Sequence, residues 1–123
     1  MPVDSTLNKV SPYITRDESE IRELIHPSIH GNQAQSLAEA VVKPGQTTHL
    51  HRHMQTEEIY HITAGQGRMT LASETFDVRV GDSICIPPAH PHCIENTGSD
   101  DLHLLCLCSP AYSHHDTELL DNK

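Results

Sequence analysis

From residue 35 onward the chain runs in short hydrophobic–polar alternations broken by turn residues. Gln35-Ser36-Leu37-Ala38-Glu39-Ala40-Val41-Val42 alternates and stops at Lys43-Pro44-Gly45-Gln46, where Pro precedes Gly. Strands are then predicted over 47–53, 59–63, 68–72, 75–80, 83–86, 92–95 and 102–108. Turns fall at Met54–Glu57, Ala64-Gly65-Gln66-Gly67 and Gly81-Asp82, a break at Pro87-Pro88-Ala89, and a further turn over 96–100. Many short strands at regular spacing predict an all-β sandwich or barrel. Upstream, residues 1–16 carry Pro2 and Pro12 and no clear period, as an arm that ties onto a sheet edge or a partner subunit does. Ser19–Ile25 reads as an edge strand rather than a helical turn. The polar tail from Asp116, with Leu119-Leu120, reads as a short terminal helix. The 123 residues are expected to form one domain, with a barrel core over about 35–110, an arm over about 1–25 and a tail over about 111–123.

Charge narrows the classes of function. Eight Lys and Arg against 17 Asp and Glu give a net charge of −9, the wrong sign for neutralising nucleic-acid phosphates or anionic membranes. No apolar run approaches the length of a membrane span, and the first residues lack a basic, then apolar, secretory pattern, so a cytoplasmic protein is expected. In that compartment Cys85, Cys93, Cys106 and Cys108 are expected as free thiols, with Cys106 and Cys108 serving as small hydrophobes in a buried strand. With no Trp and one Phe, the core must come from Ile, Leu, Val, Met and Ala.

Histidine is over-represented, with 11 residues, and six of them (49, 51, 53, 61, 90 and 92) lie between positions 49 and 92. That concentration points to a metal or to acid–base chemistry. In His49-Leu50-His51-Arg52-His53 the alternation of a strand puts the three histidines on one face, roughly 6.5–7 Å apart in succession. At most two of the three can then converge on one ion, and Arg52 points away. The turn at Met54–Glu57 has the length of a tight hairpin, which would set Glu57 or Glu58 opposite the histidines; parity alone leaves both open. In the second cluster, Gly81–Asn96, His92 starts an alternating run and is the better inward candidate, while His90 sits at a Pro-flanked corner.

These two segments resemble the two motifs of the cupin superfamily. The first motif is met by Gly45, His51, His53, Glu58 and Gly65, and the second by Gly81, Pro87, His92 and Asn96. Ala89 stands where the motif has Gly, a position where Ala resists a positive φ. The resemblance covers about residues 35–110 and implies a cupin double-stranded β-helix, or jelly-roll barrel. It implies His51, His53, Glu58 and His92 as ligands of one divalent transition metal ion (Fe, Mn, Ni, Cu or Zn) and chooses Glu58 over Glu57. It also implies a homodimer.

Cupins host many chemistries, so the reaction is not set by the fold. The expected function is a metalloenzyme acting on a small polar or anionic molecule at a 3-His/1-Glu site. One version is dioxygenase-like; the other is isomerase- or decarboxylase-like, including sugar-phosphate isomerases, although no basic phosphate clamp is evident. The net positive metal site is expected to attract anionic or enolic substrates. Tyr60 and His49 are the candidate catalytic residues beyond the ligands, with His90 behind them. The alternative is a non-catalytic module that binds or senses a metabolite or metal.

Overall fold

The computed structural model describes residues 2–120. Two antiparallel sheets face each other. One runs in the order β1 (Tyr13–Ile14), β2 (Glu20–Ile25), β3 (Ser36–Val42), β10 (Leu102–Ser109), β5 (Glu57–Ala64) and β8 (Ser83–Ile86). The other runs β11 (Thr117–Leu119), β4 (His51–His53), β9 (His92–Asn96), β6 (Gln66–Leu71) and β7 (Glu74–Arg79). From β3 to β10 the chain changes sheet at every connection except the β6–β7 hairpin. This is the expected jelly roll.

That crossing pattern corrects the hairpin expected at Met54–Glu57 and settles the nature of two other turns. Met54–Thr56, Gly65 and Gly81-Asp82 are corners that carry the chain from one sheet to the other. Gly65 shows why the corner needs glycine. Its φ is +81°, and a Cβ there would lie 2.7 Å from the Asp101 carbonyl oxygen. The Pro-rich corner between β8 and β9 keeps the glycine-like conformation without glycine: Ala89 adopts φ +67°. Its N–H donates to the His53 carbonyl (2.7 Å), which ties that corner to the histidine strand.

Two further expectations are revised. The strand expected over 47–53 is regular only at His51–His53. Thr48 N–H donates to the Ile94 carbonyl (3.0 Å), but the Ile94 N–H returns to the Thr48 hydroxyl (3.0 Å), so a side chain takes a place in the ladder. The expected terminal helix is strand β11, paired with β4 through Thr117↔His53 and Leu119↔His51; residues 121–123 of that tail lie outside the described residues. A 3-10 turn at His114–Asp116 precedes it. The N-terminal arm does tie onto a sheet edge, where Tyr13 pairs with Ile21.

The inward side chains grade from polar to apolar along the strands. On β5 they run Glu58, Tyr60, Ile62, and facing them in register on β10 are Cys108, Cys106 and Leu104. On β9 they run His92, Ile94, Asn96, opposite Leu71, Met69 and Gly67 of β6. Ile62, Met69, Ile86, Ile94, Leu102 and Leu104 are fully buried, each contributing about 1.5–3 kcal/mol of hydrophobic stabilisation. Asn96 closes this apolar end: its amide donates to the Val42 and Asp100 carbonyls and its oxygen accepts the Gly98 N–H, all at 2.8 Å.

Candidate metal centre

At the polar end of the interior, three imidazoles converge. His51 and His92 are direct cross-strand partners, the one registered pair joining β4 to β9, so their side chains rise from the same face. Two residues further along β4, His53 joins them. Ring centroids are 4.2 Å apart for His51–His92, 5.1 Å for His51–His53 and 5.3 Å for His53–His92. One nitrogen from each ring lies within 4.8 Å of the others. Glu58 comes from the opposite sheet. Its Oε1 is 3.1 Å from His53 Nε2 and 3.4 Å from His92 Nε2. All four side chains are buried, His92 completely.

Hydrogen bonds on the far side of each ring set its tautomer. Nδ1 of His51 faces the His49 carbonyl (2.8 Å) and Nδ1 of His92 faces the His90 carbonyl (3.0 Å). A carbonyl only accepts, so each Nδ1 must carry the proton. Nδ1 of His53 faces the Thr117 hydroxyl (2.9 Å), whose own hydrogen is committed to the Ser113 carbonyl (2.8 Å), so this Nδ1 also donates. In neutral rings the three Nε2 atoms then offer lone pairs, and they face a carboxylate oxygen. Glu58 Oε1 and His92 Nε2 have no hydrogen-bond partner although both are buried. Such a nest of acceptors is stable only around positive charge, supplied by protons or by a cation. The donor set, three neutral imidazoles and one carboxylate, fits a divalent transition ion.

The acid–base properties follow from the same geometry. Burial alone would raise the Glu58 carboxyl, but the neighbouring His53 and His92 rings hold it well below the usual carboxylate range. Burial, then the neighbouring His92 charge, lowers His51 to about 4. Tyr60 and Cys106 are pushed well up, by burial first and then by the Glu58 charge. Cys108 rises for the same reasons; its thiol donates to Glu58 Oε2 (3.4 Å).

The candidates named from sequence separate here. Glu57 is exposed and Glu58 buried, as alternation on β5 requires. Tyr60 lines the interior with its ring edge-on to His92 (centroids 5.8 Å). His49 does not share the face of His51, because the backbone around Thr48 is irregular; its ring meets the carboxylate of Glu18, and it serves the site through its carbonyl. His90 is exposed and likewise contributes a carbonyl. Arg52 points outward to Glu118 (2.6 Å), and His61 bonds the Ser83 hydroxyl (2.7 Å) away from the site.

A cavity of about 50 Å³ opens beside the histidines. Its lining includes groups that sequence reasoning did not single out: Asp17, Glu23, Tyr112 and Thr117, from the two ends of the chain. Asp17 Oδ2 lies 3.8 Å from His51 Nε2. The polar run Arg16-Asp17-Glu18-Ser19 signals a turn, but nothing in it says that the turn docks against the histidine cluster. Among the described residues, no lysine or arginine lines this cavity. The expectation of a positive site that draws anions is therefore weakened, since Asp17 adds a second carboxylate to Glu58; Glu23 also lines the cavity, its carboxyl pushed up by burial.

Residues 38–108 match the family model described as "Cupin domain". The uncharacterized protein MJ1618 of Methanocaldococcus jannaschii is 52% identical over 119 residues, spanning 97% of this chain and 95% of that protein. The oxalate-binding protein of Thermotoga maritima is 30% identical over 92 residues, 75% of this chain and 76% of its own. Among solved structures, a predicted oxalate decarboxylase from Thermotoga maritima superposes with a TM-score of 0.77 at 27% identity, covering 89% of this chain and 99% of that one. The polyketide cyclase RemF of Streptomyces resistomycificus superposes with a TM-score of 0.84 at 22% identity over 100% of this chain and 88% of its own, a likeness of fold alone.

Proposed function

The chain belongs to the cupin family, and from that premise we propose that it is a metalloenzyme in which His51, His53, Glu58 and His92 hold one divalent transition metal ion beside a cavity for a small oxygen-chelating molecule. The observation that carries this reading is the pair of buried, unpartnered atoms Glu58 Oε1 and His92 Nε2, within a set of rings whose Nδ1 protons are all spoken for. When bound, such an ion supplies Lewis acidity to a coordinated oxygen. The chain's own part is to orient and to exclude water. Carbonyls of residues 49 and 90 and the Thr117 hydroxyl fix the rings, and Cys108 fixes the carboxylate. Tyr60 keeps its proton and walls the cavity.

The relatives whose names mention oxalate support a small oxygen ligand as the class of molecule bound. A binding protein without turnover is the second reading. It is favoured by the tight hold on protons at Tyr60, Cys106 and Cys108, which leaves few groups in the cavity able to exchange one near neutral pH. Elemental analysis of anaerobically purified protein tests the metal. About one ion per chain is expected, and a folded chain that binds none at micromolar supply sinks the proposal. Oxygen uptake with small hydroxy acids and diketones then separates a dioxygenase from an isomerase or decarboxylase.

A further inference from the structure

The turn between β1 and β2 delivers a carboxylate into the metal centre. Glu18 N–H closes onto the Thr15 carbonyl (2.9 Å) and Thr15 N–H onto the Ser19 carbonyl (3.0 Å). Within this turn, Asp17 Oδ1 accepts both the N–H (3.0 Å) and the hydroxyl (2.6 Å) of Ser19. That leaves Oδ2 turned toward His51. The turn is itself held in place: His49 N–H donates to the Asp17 carbonyl (3.0 Å), and Arg16 donates to the carbonyls of His114 and Thr117 (3.1 Å each). Asp17 is thus a fixed part of the site.

We infer that this cavity selects an uncharged, hydroxyl-bearing chelator, of the class of hydroxy ketones, over small dianions, and that Asp17 is the residue that sets the preference. The inference rests on the metal reading above. A divalent ion brings two positive charges; Glu58 and Asp17 offset both. A third acidic group, Glu23, lines the cavity with its Oε1 buried and unpartnered, its other oxygen taking the Tyr13 hydroxyl (3.1 Å). With no cation in the lining, a dianion would add two negative charges to a compartment that has nothing left to oppose them. A hydroxyl group meets the same wall favourably, because it can donate to Asp17 Oδ2 or Glu23 Oε1 while a neighbouring oxygen takes an open position on the ion. The unpartnered Glu58 Oε1 and His92 Nε2 mark the seat for that ion, and Glu58, His51 and His53 also line the cavity.

The test uses the full chain loaded with Co(II), titrated with dihydroxyacetone and with oxalate. Binding is read from the visible cobalt spectrum, and cobalt retention is checked by gel filtration after each titration. Dihydroxyacetone should bind at least tenfold more tightly than oxalate. Asp17→Asn should weaken dihydroxyacetone about fivefold or more and strengthen oxalate, with cobalt content and unfolding midpoint unchanged. Glu23→Gln, which leaves the Thr15–Ser19 turn intact, should shift the preference in the same direction and serves if Asp17→Asn does not fold. Tighter binding of oxalate by the native protein, or variants that move both ligands in the same direction, overturn the inference while leaving the metal centre standing. A chain that takes up no Co(II) overturns both.

Discussion

Cys108 donates its thiol hydrogen to Oε2 of Glu58 across 3.4 Å, and in doing so turns Oε1 toward His53 and His92. The two residues are cross-strand partners on β10 and β5, so the contact is built into the sheet register. Replacing Cys108 with Ala removes the donor and leaves Oε2 buried. Metal affinity is expected to fall by about 10-fold or more, the usual effect of losing a partner that orients a ligand. Cys108→Ser, which restores a donor, should recover part of the loss. Competition with a chromophoric chelator measures both.

Thr117 plays the matching part for His53 from the C-terminal strand. Thr117→Val keeps the shape and removes the acceptor for Nδ1–H. A similar loss of affinity, on the order of 10-fold, is expected, with full occupancy recovered at high metal. Unchanged affinity would mean that the ring is oriented by packing alone.

The ligand assignment has a sharp contrast within two adjacent residues. Glu58→Gln should strip the metal or weaken it by more than 100-fold, whereas Glu57→Gln, on the exposed face of β5, should leave the metal content unchanged. His51→Ala and His92→Ala should behave like Glu58→Gln. Metal retained by Glu58→Gln and lost by Glu57→Gln would reverse the reading of that strand.

Acid should loosen the site in a defined window. His51 is lowered to about 4 by burial first, whereas in the unfolded chain it keeps its ordinary value of 6.5. Between these values the unfolded chain binds a proton that the folded chain refuses. The contribution to stability is therefore complete above about 6.5 and is lost as pH falls toward about 4. Urea midpoints of the metal-free protein should drop across this range, and His51→Gln should flatten the profile.

Most of the strand positions, and the fact that Glu57 and Glu58 take opposite faces, were legible because alternation is a local property of the chain; which of the two points inward came from the family resemblance. Which sheet each strand joined was not. Gly65 and Gly81 look like hairpin glycines in sequence, and only the packing of two sheets makes them corners. The side-chain direction of His49 was not legible for a related reason: the Thr48 hydroxyl takes a rung of the ladder, and the His49 ring meets Glu18. Asp17, Tyr112 and Thr117 reach the cavity through long-range docking, which no local pattern encodes.

The corner at Ala89 offers a test of backbone strain. A left-handed alanine costs about 1–2 kcal/mol, partly offset by the entropy that glycine loses on folding. Ala89→Gly should therefore stabilise the protein by about 0.5–1 kcal/mol. Gly65→Ala should cost about 2–4 kcal/mol, because its Cβ would strike main chain rather than a movable side chain. Thermal unfolding of the two variants should move in opposite directions.

The Thr15–Ser19 turn and strand β11 lie outside residues 38–108, the stretch that carries the family match, yet both face the same cavity as His51, His53 and Glu58 inside it. Grafting Gly45–Asn96 onto another barrel would carry over the four ligand side chains without Asp17 or Thr117. Two proteins alike across that stretch can thus share an ion and differ in what they admit to it, and the first nineteen residues are the place to look for the difference.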